Sequence, residues 1–426
     1  MQLVSTEASP PPGLTFASML AGLLGMLAAA LLLVWQPEAL FTRWHPAALA
    51  AVHLFALGGL MPVMLGALYQ FVPVACGLAL PRWGGLDWLI LFALLAGAFA
   101  LAGGFLFGGP LWLASAGVLL LGSLLAAGVR LAWSLWHQPL RSEMVAALRR
   151  SALALGGTLT LGAVLLGVLL FGWPLPLMVI VDWHALWGIA GWVSGLVVSV
   201  ASVVVPMFHV TQAYPRQWNW ATRGLLLALL LGSAAAWLET GWLASAACVL
   251  LTLLGLGFGI LTAQRVRASK RGERDAFHWG WLGVAAISVL LAVLGALAHF
   301  SPDPRWSVVF GVLALAGLGG GTVSVMLYRI VPFLIWLHWQ RANKARARLP
   351  LLHQIVPERW QRVQLASELM ALVLLCLAAF VPALTQAGAL LLAMGKLGQT
   401  ALLARAMRDY RQRLAILKTL PPRVRT

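Results

Sequence analysis

Charge is scarce in this chain. Only 10% of its 426 residues are Asp, Glu, Lys or Arg, and just 12 of them are acidic. A chain so poor in charge cannot cover a folded domain with the usual solvated surface. Cysteine is scarcer still: Cys76, Cys248 and Cys376 stand in different segments with no C-x-x-C pair. That excludes a cysteine zinc site, a dithiol redox couple and covalently attached haem, and leaves three packing residues. Also missing are a P-loop, a G-x-G-x-x-G between strand and helix, a G-x-S-x-G elbow and an H-E-x-x-H pair. Their absence removes the common soluble nucleotide-binding, serine-hydrolase and zinc-protease classes.

Apolar residues fill the space, at 61% of the chain with 21 tryptophans. With a mean hydropathy of +0.90, the solvent of this protein is a lipid bilayer. Crossing a hydrocarbon layer takes about 20 helical residues. Twelve runs meet that length, near 14–34, 46–72, 86–107, 111–136, 151–172, 184–206, 220–238, 242–263, 279–299, 306–337, 363–384 and 387–407. The expected fold is an all-α integral membrane protein forming one transmembrane domain over 1–426, with a basic tail at 408–426. A short glycine-rich break from Gly103 to Pro110 separates the third run from the fourth.

A net charge of +17 might suggest nucleic acid, but its placement gives a topology signal instead. Basic clusters at Arg141/Arg149/Arg150, Gln264 to Asp275, Gln340 to Arg348, Arg359/Arg362 and Arg405 to Arg425 all follow even-numbered segments. The opposite loops hold Arg43 and Arg305 against the acids Glu38, Asp182, Glu239 and Asp303. By the positive-inside rule both termini are cytoplasmic, in a membrane of the bacterial inner type. The segment TEASPPPG ahead of the first run carries no Lys or Arg, so a cleaved signal peptide is not expected.

An internal repeat organises the twelve segments. The second ends in GALYQFVPVACG, the sixth in SVASVVVPMFHV and the tenth in SVMLYRIVPFLIW, each with a V-P pair, at Pro73, Pro206 and Pro332. The second and sixth also carry a histidine near the opposite end, His53 in HLFALGG and His184 in DWHALWG. The pattern predicts three pseudo-repeated four-helix units near 14–136, 151–263 and 279–407, with the second helix of each facing a shared interior.

These motifs resemble subunit I of the haem–copper oxidases, particularly the cbb3 type, and the related NnrS membrane proteins. The resemblance implies that His53 stands where a low-spin haem takes an axial ligand and His184 where a copper ion takes one. It also has gaps. The seventh segment, ATRGLLLALLLGSAAAWLE, lacks the family's histidine pair, and WSVVFGVLALAGLGGGTVS in the tenth lacks its H-x-H. No tyrosine lies one turn after His184. The full copper and haem ligand set is therefore missing, and oxygen reduction is not expected.

On chemistry alone, each of His53 and His184 is either an interfacial histidine satisfied by a carbonyl or water, or half of a pair that ligates haem iron, copper or another transition metal. Haem b is the cofactor that the resemblance implies. Asp182 is a candidate outer partner for an imidazole, and His45 and His299 are further metal-ligand candidates. His137, His209, His278, His338 and His353 fall among basic residues at the cytoplasmic ends, where solvated faces are expected. Lys396 lies within the last apolar run and needs a partner there, for which Glu368 on the preceding segment is the candidate, with Gln399 and Thr400 adding hydrogen bonds. Such a pair either fixes packing or belongs to a proton or ion path. Tyr69 and Tyr328, four residues before their prolines, are candidates to bond carbonyls freed at the kinks.

Three functions fit these features. One is a haem- or metal-binding protein of respiratory or nitric-oxide-related electron transfer or cofactor handling, with an electron-transfer partner protein and the lipid bilayer as its surroundings. The second is a twelve-helix transporter, and the third a non-catalytic subunit or assembly partner of a respiratory complex. A nucleic-acid partner is not expected.

Overall fold

A computed structural model of the protein describes residues 10–81, 83–137, 142–343, 347 and 349–419. Arg141, Lys344, Arg346, Arg348, the start of TEASPPPG and the tail from 420 lie outside the described residues. Twelve helices are long and apolar enough to cross a membrane: α1 Gly13–Trp35, α2 Pro46–Cys76, α3 Gly85–Phe107, α4 Pro110–Trp136, α5 Glu143–Phe171, α6 Leu177–His209, α7 Arg216–Trp237, α8 Gly241–Arg267, α9 Ala276–Phe300, α10 Arg305–Asn343, α11 Glu358–Ala378 and α12 Leu384–Leu417. No strand occurs among the described residues. Helices are what a bilayer demands, because a lipid-exposed backbone must satisfy its own N–H and C=O groups.

Helix ends follow local chemistry. α3 and α4 are joined by only Gly108 and Gly109, whose φ values of +69° and +94° suit glycine and few other residues, and Pro110 then opens α4 without a lost donor. α5 starts eight residues before the apolar run begins at 151, because the Ser142 side chain accepts from the Val145 N–H at 3.3 Å and caps the helix. At the other end of the chain, residues 408–419 expected as tail continue α12 as helix.

Burial separates the helices into two classes. In α2, α6 and α10 the apolar core is 72%, 61% and 67% buried, against 50% at most in any other helix. These three, the second, sixth and tenth in the chain, form the interior. Each is interrupted by π-helical turns: Leu54–Leu60 in α2, Trp187–Ser194 in α6 and Leu313–Gly320 in α10. A π-turn bonds i to i+5, as from the Met61 N–H to Ala56 O, so it widens the helix and rotates the face that follows. The segments meet at glycines of α10. A β-carbon on Gly319 would lie 2.9 Å from Leu60 and 3.4 Å from Val193, and one on Gly320 would lie 2.9 Å from Phe55. Large side chains of α2 and α6 thus fill space that α10 leaves open.

The first and last helices close the ring. α1 packs along α12, with Phe16 edge-on to Tyr410 at 5.7 Å. It also approaches α2 backbone to backbone: a β-carbon on Gly22 would meet Gly59 O at 2.5 Å, and one on Gly25 would meet Gly58 O closer still. Prolines 73, 206 and 332 all lie inside their helices rather than ending them.

Candidate metal centre

The structure brings together His53 and His184, which are 131 residues apart in sequence. Their rings lie 6.3 Å apart, centre to centre, with planes within 17° of parallel. α2 and α6 deliver them. His53 is the residue before the π-turns of α2, and His184 stands three residues before those of α6.

Backbone carbonyls set the tautomer of both rings. Nδ1 of His53 lies 2.7 Å from Leu49 O, and Nδ1 of His184 lies 3.1 Å from Thr158 O on α5. A carbonyl oxygen only accepts, so each Nδ1 carries the proton and donates it. Each neutral imidazole then keeps its lone pair on Nε2, the arrangement found where histidines ligate metals. Both rings are half-buried. Phe105 of α3 flanks His53 at 5.2 Å. Gly162 of α5 flanks His184 so closely that a β-carbon there would touch Cε1 at 3.2 Å.

The other candidates stand apart. The Nδ1 of His45 accepts from the Ala47 N–H at 3.2 Å, so His45 caps α2 and the lone pair on that nitrogen is in use. His299 is exposed, edge-on to Phe300 at 4.7 Å, and borders a cavity of about 320 Å³ among α6 to α10 whose lining includes neither His53 nor His184. Asp182 does not orient an imidazole. It pairs with Arg43 at 2.7 Å on the surface, tying α6 to the loop before α2. Among the described residues no group of three or more His, Cys, Asp or Glu is placed to hold a metal ion.

Lys396 does find Glu368. Its Nζ lies 2.6 Å from Glu368 Oε1 and donates to Ser324 Oγ at 2.7 Å. Ser324 in turn donates to Gln399 Oε1, and Gln399 Nε2 donates back to Ser324 O. Thr400 bonds the Lys396 carbonyl rather than the ammonium. The tyrosines do not serve the proline kinks. Tyr69 lies under Arg130, 4.5 Å from the guanidinium, and the buried Tyr328 hydroxyl has no protein partner.

Two features escape a reading of sequence alone. Arg130 in α4 and Asp87 in α3 form a buried ion pair at 2.5 Å, and neither residue stands out among the charges near the basic face. His209 and His278 are not solvated: they are 1% and 5% exposed, with rings 5.9 Å apart and Nε2 of His209 buried without a partner. Their neighbours in sequence are basic, but the end of α6 turns His209 inward against Phe277, and the start of α9 sets His278 beside His209. Asp275, just ahead of α9, caps that helix by accepting from the His278 N–H and lies beside this cluster. Burial alone would raise its carboxyl, but Arg329 at 2.5 Å, the His278 amide and Arg271 outweigh it and hold it below the usual carboxylate value.

A scan against family models finds no match to this chain, and a search of curated proteins finds none either.

Proposed function

We propose that this membrane protein holds one transition-metal centre between Nε2 of His53 and Nε2 of His184, and serves electron transfer or the handling of that cofactor. The observation that carries the reading is the pairing of two near-parallel imidazoles whose Nδ1 protons are both committed to carbonyls. Two metal–nitrogen bonds of ~2.0–2.1 Å plus a ring radius of ~1 Å at each end span ~6 Å. The 6.3 Å between ring centres matches that span. His53 and His184 would hold a haem iron or a copper ion through Nε2, and either group would supply a one-electron redox change.

The chain's own residues do the positioning. Leu49 O and Thr158 O fix the ring orientations, and Gly162 leaves the His184 ring room that any larger residue would take. The centre lies toward the face opposite the basic clusters. By the positive-inside rule that face is periplasmic in a bacterial-type inner membrane, and both termini are cytoplasmic. The pairing of a histidine of α2 with one of α6 supports kinship with the oxidase and NnrS scaffold, while the family's histidine pair in the seventh segment and its H-x-H in the tenth are missing. The missing three-histidine copper set supports a role other than oxygen reduction.

The test is a reduced-minus-oxidised visible spectrum of detergent-purified protein, with iron, copper and zinc measured on the same sample. A Soret band with one iron per chain identifies haem, and about one copper without a Soret band identifies the bare ion. His53→Ala and His184→Ala should each lower occupancy at least tenfold. A protein with neither a Soret band nor bound metal sinks the proposal.

A further inference from the structure

The core between α10, α11 and α12 carries more unmet polar groups than a packing salt bridge needs. The Tyr328 hydroxyl and both polar atoms of the Gln364 side chain are buried without a protein partner, at residues only 4% exposed. They surround the Lys396–Glu368 pair. Tyr328 follows by one turn on α10 the Ser324 that accepts from Lys396. Gln364 precedes Glu368 by one turn on α11, and its carbonyl O is 3.8 Å from where a β-carbon of Gly395 would stand. Buried donors and acceptors seldom stay unpaired, and where protein offers no partner, ordered water does so.

These groups lie to one side. α10 and α12 run toward the basic face and α11 runs away from it, so Tyr328, Gln364, Gln399 and Thr400 all fall between the ion pair and that face. Toward the other face, the unpaired Thr322 hydroxyl is followed by the buried apolar side chains Leu372, Leu375, Ala389 and Leu392, and the next buried polar group of α12, the unpaired Thr385 hydroxyl, lies about three turns from Lys396. An apolar layer thus separates the ion pair from that face.

We propose that α10, α11 and α12 enclose a water-filled inlet that opens at the basic face, ends at Lys396 and Glu368, and gives that pair proton exchange with that side alone. Water bridges Gln364 and Tyr328 to Glu368. A proton delivered by the water column to the Glu368 carboxylate leaves a neutral acid beside the Lys396 ammonium, a gain of one proton and one positive charge, and its return to the column restores the ion pair. This site is separate from the histidine pair and does not depend on it.

Thiol labelling tests it. With Cys76, Cys248 and Cys376 replaced by Ala, Gln364→Cys and Thr400→Cys are each exposed to a membrane-impermeant cationic methanethiosulfonate in sealed vesicles of both orientations. Leu375→Cys serves as the apolar control. The expected result is labelling of Gln364→Cys and Thr400→Cys from the basic face only, at least tenfold faster than Leu375→Cys. Two cysteines one turn from the pair on different helices keep the test open if one variant fails to fold. Labelling no faster than the control, or labelling from the opposite face, overturns the inlet.

Discussion

Removing Lys396 alone strands the Glu368 carboxylate in the core of the bundle. Lys396 is 1% exposed and the Glu368 side chain 10%, so neither charge has bulk water to fall back on. Breaking one member of such a pair costs about 3–5 kcal/mol, whereas replacing both members with apolar residues of similar volume is often neutral or stabilising. The surroundings favour the large figure for the single variants. Ser324 keeps its bond to Gln399 when the ammonium goes, so almost the whole penalty falls on the stranded charge rather than on the hydroxyl. Lys396→Met and Glu368→Met should therefore each destabilise by about 3–5 kcal/mol, a loss of more than a hundredfold in the folding equilibrium, while the double variant costs no more than either single one. Detergent-denaturation of the purified protein, followed by the fluorescence of its 21 tryptophans, measures all three. Costs that simply add in the double variant would refute the reasoning, because an additive pair is not an interacting pair.

Other substitutions separate the proposed roles. Asp182→Ala should leave metal occupancy within twofold and cost under about 1 kcal/mol, since Asp182 holds only the exposed Arg43; a loss of metal on elemental analysis would return it to the site. Gly25→Ala should cost at least about 1–3 kcal/mol in the same denaturation assay, because its β-carbon would overlap the Gly58 carbonyl and force α1 off α2. Gly77→Ala, where nothing lies within 4 Å but φ is +65°, should cost less. Asp275 has a depressed folded-state carboxyl, so its stabilisation is present above the unfolded value of ~3.9 and is lost as pH falls below it. The acid limb of a stability–pH curve should flatten below about pH 4 in Asp275→Asn, and an unchanged limb would remove Asp275 from that role.

How much of the molecule was legible before folding differs from residue to residue. The twelve spans and the inward role of the second, sixth and tenth helices follow from run length and from the proline spacing, and all three lie in the core. Lys396 and Glu368 were legible as partners because a charge that deep has few alternatives. The π-turns were not: LFALGGL, WGIAGWVS and LALAGLGG differ little in composition from ordinary glycine-bearing membrane helix. Nor were the burial of His209 and His278 or the pairing of Arg130 with Asp87.

The cause is that lipid is as apolar as a protein core. In water a helix announces its buried face by its polar one, but a membrane helix is apolar all round, so the sequence leaves its rotation open. Sequence by itself determined the solvent, the number of crossings, the charge asymmetry of the two faces and the depth of each histidine and lysine. Only the tertiary structure decided which faces meet, because a helix's rotation depends on the neighbours it packs against. That is how His53 and His184 come to lie 6.3 Å apart, and why His209 is buried while His299 stays exposed.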